Sequence, residues 1–266
     1  MSTDQLTAEF EVFQGELKSF LLRMTASVQD AEDIVQETYL KAHAKIDSFR
    51  GESTLKTWVF TIASNLARDL LRAKKRWPEN VTDICKEAVL NDREFFQEAM
   101  HIRQTSPQGN FEIKEHVAFC FTCVSKSLPI EQHIALLLKE VYGFKVQEIA
   151  TIMEQSEAMV KYYLHVSRGR MVEVFDGRCS LINKQGVCHQ CTELNAIFNP
   201  KQKAQEELVK IEMARDAENK DKETLFDLRM KILQELDPFE SGAAVLQLHH
   251  LEHNRKVMEK YLGESE

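Results

Sequence analysis

The sequence predicts an all-α protein, on three observations. No stretch keeps an apolar/polar alternation of period two. The 266 residues contain only nine Gly and five Pro to interrupt helices. Apolar residues recur at helical spacing where a bundle is read, as in the i, i+4 line Trp58, Ile62, Leu66 and Leu70, the mark of a helix with one buried stripe. The length suffices for one to three domains with a sizeable core. No apolar run approaches the roughly 18–20 residues that cross a bilayer. The opening MSTDQLTAEFEVF lacks a basic region followed by an apolar core, so a cytoplasmic protein with reduced thiols is expected.

Residues 1–76 read as a helical bundle. The first helix spans roughly Leu6 to Thr25, with Phe10, Phe13, Leu17 and Leu21 toward the core. The second starts near Asp30 and turns Ile34, Val35, Tyr39 and Ala42 inward. The third covers about Thr54 to Lys75, and its apolar line is Trp58, Ile62, Leu66 and Leu70. Residues 77–114, with Pro78, Pro107 and Gly109, read as a linker with a short helix near 91–102. Residues 115–178 form a second helical unit. In it VQEIATIM and AMVKYYLHVSRGRMVEVF are separated by the short turn EQSE, the pattern of a helix-turn-helix. Ser156 is the expected N-cap of its second helix. Residues 179–266 form a mostly helical extension that opens with a cysteine-containing stretch.

The charge distribution narrows the function. The formal net charge is −8, yet residues 68–76 carry five positive charges against Asp69 alone. Screening over about 8 Å at physiological salt makes such local clustering, and not the total, decide nucleic-acid contact. The basic block ends a stretch holding aromatics, hydroxyls and Asn65. Unpaired bases stack on aromatics while Lys and Arg hold phosphates, and polar side chains read a base once it has left the stack. Arg68 and Arg72 lie at i+3 and i+7 from Asn65, so one helical surface can combine base and phosphate contacts.

Two stretches carry a resemblance. DAEDIVQETYLKAHAKIDSFRGESTLKTWVFTIASNLARDLLRAKKR (30–76) resembles region 2 of the extracytoplasmic-function sigma factors of the sigma-70 family. LPIEQHIALLLKEVYGFKVQEIATIMEQSEAMVKYYLHVSRGRM (128–171) resembles their region 4. The order and spacing are also the family's, over about half the chain. The resemblance implies a non-enzymatic, dissociable subunit of RNA polymerase that recognises promoters and opens DNA. Its implied partners are the clamp coiled coil of core polymerase, promoter DNA both duplex and melted, and a possible anti-sigma factor.

Carried onto this sequence, the resemblance makes Asp30, Asp33, Gln36 and Glu37 contacts for core polymerase. Acidic groups beside the exposed Leu40 suit a basic, partly apolar partner. It makes the loop FRGESTLKT, with Phe49, Arg50 and Lys56, the site that captures a flipped base of the −10 element, and Asn65 a base reader. Trp58 fits either the core, since it lies on the apolar line, or a wedge at the duplex edge. The −35 element falls to Ser156, Glu157, Met159, Lys161 and Tyr162, with Arg168 and Arg170 for phosphates. Tyr163 and Val166 stand where the family frequently has Arg.

The six cysteines read as thiols or metal ligands rather than as a disulfide framework. Cys188 and Cys191 make a CxxC, with Cys179 nine residues before Cys188. These are three candidate ligands for zinc, with His189, Cys120 or Cys123 as a fourth. The expectation is that this cluster senses metal or redox state and regulates region 4. Cys120 and Cys123 otherwise read as core residues, and Cys85 as an idle residue of the linker. In HHLEH, His249 and His253 at i, i+4 read as a solvated helix face. The rival readings are a stand-alone helix-turn-helix repressor and a thiol-redox enzyme. The first leaves residues 30–76 without a task, and the second lacks a βαβ context.

Overall fold

The computed structural model describes residues 1–105, 113–178, 220–240 and 244–263, and every regular element among these described residues is helical, as predicted. Numbered along the described chain, the helices are α1 (Thr3–Thr25), α2 (Val28–Ala44), α3 (Leu55–Arg72), α4 (Val81–Asn91), α5 (Arg93–Thr105), α6 (Ile113–Ser125), α7 (Ile130–Leu136), α8 (Val146–Met153), α9 (Glu157–Arg178), α10 (Lys222–Glu235) and α11 (Ala244–Gly263). The chain divides into two compact units, residues 1–76 with 128–168 and residues 77–127 with 169–266.

The first unit joins the N-terminal bundle to the helix-turn-helix. Ser2 and Gln5 form a reciprocal capping box that starts α1, and Ser27 and Thr54 cap α2 and α3. The core is aromatic. Phe60 of α3 is fully buried, with its ring centroid 5.5 Å from Phe20, 6.4 Å from Phe13 and 4.9 Å from Phe144. α7 ends in a π-helical turn, Leu137–Val141, which delivers Tyr142 toward α1. The Tyr142 hydroxyl accepts from Arg23 Nε at 3.2 Å and donates to Ser19 Oγ at 3.2 Å, and its burial pushes its pKa up. Gly143 follows at φ 69°, a left-handed conformation suited to glycine, and turns the chain into α8.

One expectation about the core is corrected. The buried stripe of α3 is Leu55, Val59, Phe60, Ala63, Ala67 and Leu71. Trp58, Ile62, Leu66 and Leu70 are only half-buried. The physical reason is size. Ala63, Ser64 and Ala67 let α3 approach its neighbours closely, and the bulkier line is left at the margin.

In the second unit α4 and α5 occupy much of the stretch read as a linker, and they pack with α11. α6 packs against α4, α10 and α11. Cys120 and Cys123 are buried on α6, as core residues. Cys85 is buried too, with its Sγ 4.0 Å from the carbonyl oxygen of Asn254, so it is a packing residue rather than an idle one. His249 and His253 do not form a solvated face; they stack on Phe95 of α5. The helix around them carries apolar residues on the same side, including buried Leu246 and Leu251, which draws the imidazoles into the contact.

Candidate nucleic-acid and polymerase interface

The outer side of α3 carries the residues that its buried stripe leaves at the margin. Trp58, Asn65 and Arg72 follow one another at seven-residue intervals and so share a face. Trp58 rests on Phe49 of the preceding loop, with centroids 5.3 Å apart and planes at 45°. Gly51, at φ 72°, makes that loop's tight turn. Arg50 is exposed. Asn65 accepts a hydrogen bond from Arg68 Nη1 at 2.9 Å, which fixes the amide oxygen toward the arginine. Arg72 is exposed, with Asp69 at 3.6 Å.

Lys56 lies on the other side. Its Nζ is 2.6 Å from Glu16 of α1, 5.7 Å from the centroid of Phe60 and 4.9 Å from that of Phe144. It is therefore held among α1, α3 and the segment before α8, apart from the Trp58–Asn65–Arg72 face. Lys74 is paired with Asp30 at 2.9 Å, which ties the basic end of the stretch to the N-terminus of α2. The signal for that link in the sequence is an acidic residue in the first turn of α2 and a basic run just beyond α3.

On α2 the residues Asp33, Gln36, Glu37 and Leu40 are exposed together, as their spacing predicts. Asp33 accepts from Gln29 at 2.8 Å, and Glu37 pairs with Lys41 at 2.8 Å. Beside them, between α1 and α2, is a cleft of about 450 Å³ lined by Phe10, Glu11, Glu32, Val35, Gln36 and Tyr39 among others.

α9 starts as predicted, with Ser156 Oγ accepting from the N–H of Met159 at 3.2 Å. Val160 is buried and anchors the helix, while Met159, Lys161 and Tyr162 are exposed. Glu157 pairs with Lys161 at 3.8 Å. Tyr163 is half-buried, its ring 5.9 Å from that of Tyr162. Arg168 is half-buried and 3.5 Å from Glu140, and Arg170 pairs with Glu79. Cys179, Cys188, Cys191 and His189, the expected zinc or redox cluster, lie outside the described residues. No group of three metal-ligating side chains occurs among the described ones. None of the described helices is long and apolar enough to cross a membrane.

Described residues that are helical throughout their regular elements, with a part-exposed aromatic–amide–arginine face in one part and a helix-turn-helix in another, have the build of a sigma-70-type transcription initiation factor. The comparisons agree. The family model of sigma-70 region 2 matches residues 10–77, and that of sigma-70 region 4 matches residues 119–171. The chain is 32% identical over 165 residues to an ECF RNA polymerase sigma-E factor of Haemophilus influenzae, covering 57% of this chain and 84% of that protein. It is 28% identical over 142 residues to the RNA polymerase sigma-H factor of Pseudomonas aeruginosa, covering 53% and 71%. Among solved structures it is similar to the sigma factor RpoE in complex with the anti-sigma factor NepR from Bartonella quintana, at 21% identity and TM-score 0.44, over 65% of this chain and 97% of that one. The chain belongs to the extracytoplasmic-function sigma factors, which direct RNA polymerase to promoters. Nothing favours the stand-alone repressor.

Proposed function

We propose that the chain divides its work among three surfaces. The outer face of α2, through Asp33, Gln36 and Glu37 with Asp30 at its start, docks on the clamp coiled coil of core polymerase. The 49–54 loop and the outer face of α3 hold the melted −10 strand: Phe49 and Trp58 offer a stacking platform, Asn65 reads a base edge, and Arg68 and Arg72 hold phosphates. The N-terminal half of α9 enters the major groove at the −35 element with Ser156, Met159, Lys161 and Tyr162. Strand opening draws on binding energy alone. The observation that carries this reading is the position of Trp58, Asn65 and Arg72 on one face of α3, opposite its buried stripe.

Run-off transcription with purified core polymerase on a promoter library tests it. The wild type is expected to give promoter-specific transcripts. Asp33→Ala/Glu37→Ala is expected to lose them through weaker holoenzyme assembly. Asn65→Ala/Arg68→Ala is expected to lose them with assembly intact. Full promoter-specific transcription by both double variants would remove the assignment of these faces.

A further inference from the structure

The C-terminal helix α11 is fastened to α5, in the segment between the two sigma regions, by an aromatic clasp. Phe95 of α5 lies against two imidazoles of α11. Its ring is stacked on His249 at 4.7 Å with planes 6° apart, and on His253 at 3.8 Å with planes 28° apart. His250 meets the same ring edge-on at 5.1 Å. The four-residue spacing puts His249 and His253 one turn apart on one side of α11.

Titratable and charged groups face the clasp from both helices, and His250 is a third imidazole on the same ring. From the α5 side, Asp92 Oδ2 is 3.3 Å from His253 Nε2, and Glu98 Oε2 is 3.8 Å from His249 Nε2, the latter beyond hydrogen-bond reach. The other oxygen of Asp92 accepts the N–H of Phe95 at 2.9 Å and caps α5. That bond holds Asp92 below the usual carboxylate range, so it stays ionised while the histidines titrate. From α11 itself the facing cation is Lys256. From α4 and α6 the adjoining Asn254 meets the thiols of Cys85 and Cys123, and burial pushes both up, Cys123 to about 12. Neither thiol titrates near the histidines.

A neutral imidazole suits this stack. A protonated one places charge in a half-buried contact, next to a second imidazole one turn away and to Lys256. Two carboxylates pull the other way, but burial is the larger influence, and it sets both histidines below their ordinary value near 6.5. We infer that Phe95, His249 and His253 form a proton-responsive latch that holds the C-terminal helix on the inter-region helix at neutral pH and releases it on acidification. A group with a lowered folded pKa binds its proton more readily in the released state. The latch's stabilisation is therefore complete above about pH 6.5 and is lost as pH falls from there through the folded values. This role is separate from promoter reading.

Hydrogen exchange on the full chain at pH 7.5 and pH 5.5, corrected for the intrinsic exchange rate, tests the inference. Peptides covering 93–105 and 244–263 are expected to lose protection in acid by on the order of tenfold. His249→Leu/His250→Leu/His253→Leu keeps apolar contacts with Phe95 and removes all three imidazoles that meet its ring, so the acid step is expected to vanish. Unchanged or increased protection of the wild type at pH 5.5 overturns the latch, and so does a triple variant that keeps the step. If that variant does not fold, NMR titration of the wild-type imidazoles decides. Midpoints below the free-histidine value support the latch; midpoints at or above it overturn the latch.

Discussion

Trp58 and Phe60 stand two residues apart on α3 and should fail in opposite ways. Phe60 is fully buried against three rings, and Phe60→Ala is expected to cost about 3–5 kcal/mol of stability. Trp58 is half-buried on the ring of Phe49. Full burial of a large apolar side chain is worth about 1.5–3 kcal/mol, so half of that puts Trp58→Ala near ~1 kcal/mol. Its larger effect should fall on DNA. Losing one base–aromatic stack costs about 1–3 kcal/mol, or about 5- to 150-fold in affinity. Equilibrium urea denaturation followed by far-UV circular dichroism gives the first quantity as a shift in midpoint. Fluorescence anisotropy of a labelled single-stranded −10 oligonucleotide, titrated with reconstituted holoenzyme, gives the second. The reasoning fails if Trp58→Ala destabilises the chain as much as Phe60→Ala and leaves DNA affinity unchanged. Trp58 would then belong to the core, the other place the sequence allows it.

Three further outcomes follow from the same geometry. Tyr142→Phe removes a hydroxyl bonded to Arg23 and Ser19, and should destabilise the chain by about 1–2 kcal/mol in urea; Tyr142→Phe in a Ser19→Ala background should cost less, because the two share one bond. Asp33→Lys/Glu37→Lys reverses the charge of exposed groups, so it should slow association with core polymerase and flatten its salt dependence while the circular dichroism spectrum stays the same; stopped-flow mixing at two ionic strengths reads this. Lys161→Ala should weaken duplex binding about equally on all sequences and lower the slope of log affinity against log salt by about 1, whereas Tyr162→Ala should alter preference among −35 sequences; both are read by binding to a duplex library at several salt concentrations.

These tests fall where the sequence was ambiguous, and the ambiguity has a physical source. Caps and turns were legible because their chemistry is local: Ser156 and Thr54 satisfy the first amides of α9 and α3 with no help from distant residues. The stripe of α3 was not, because periodicity finds a helix and hydrophobicity ranks its faces, but close approach rewards small residues that a hydrophobic ranking passes over. Choosing Trp58, Ile62, Leu66 and Leu70 over Ala63 and Ala67 misplaced the core by one position, and that same line left Trp58 open between the core and the DNA, where the structure keeps it half out of the core on the face of Asn65 and Arg72. The clasp on Phe95 was illegible for a different reason. A pair of histidines a turn apart looks the same whether it faces water, a metal or an aromatic ring, and the ring lies about 150 residues away in the chain. Long-range contacts of this kind carry no local signature. They also explain why the stretch between the two family matches reads as a linker with one short helix yet forms both α4 and α5: its apolar residues Val81, Val89 and Phe95 are buried where α4 and α5 pack with each other and with the C-terminal helix, and α4 with α6. An extension that completes the fold of the inter-region segment can act on that segment without touching DNA or polymerase itself, which is why its protonation is the first place to look for regulation.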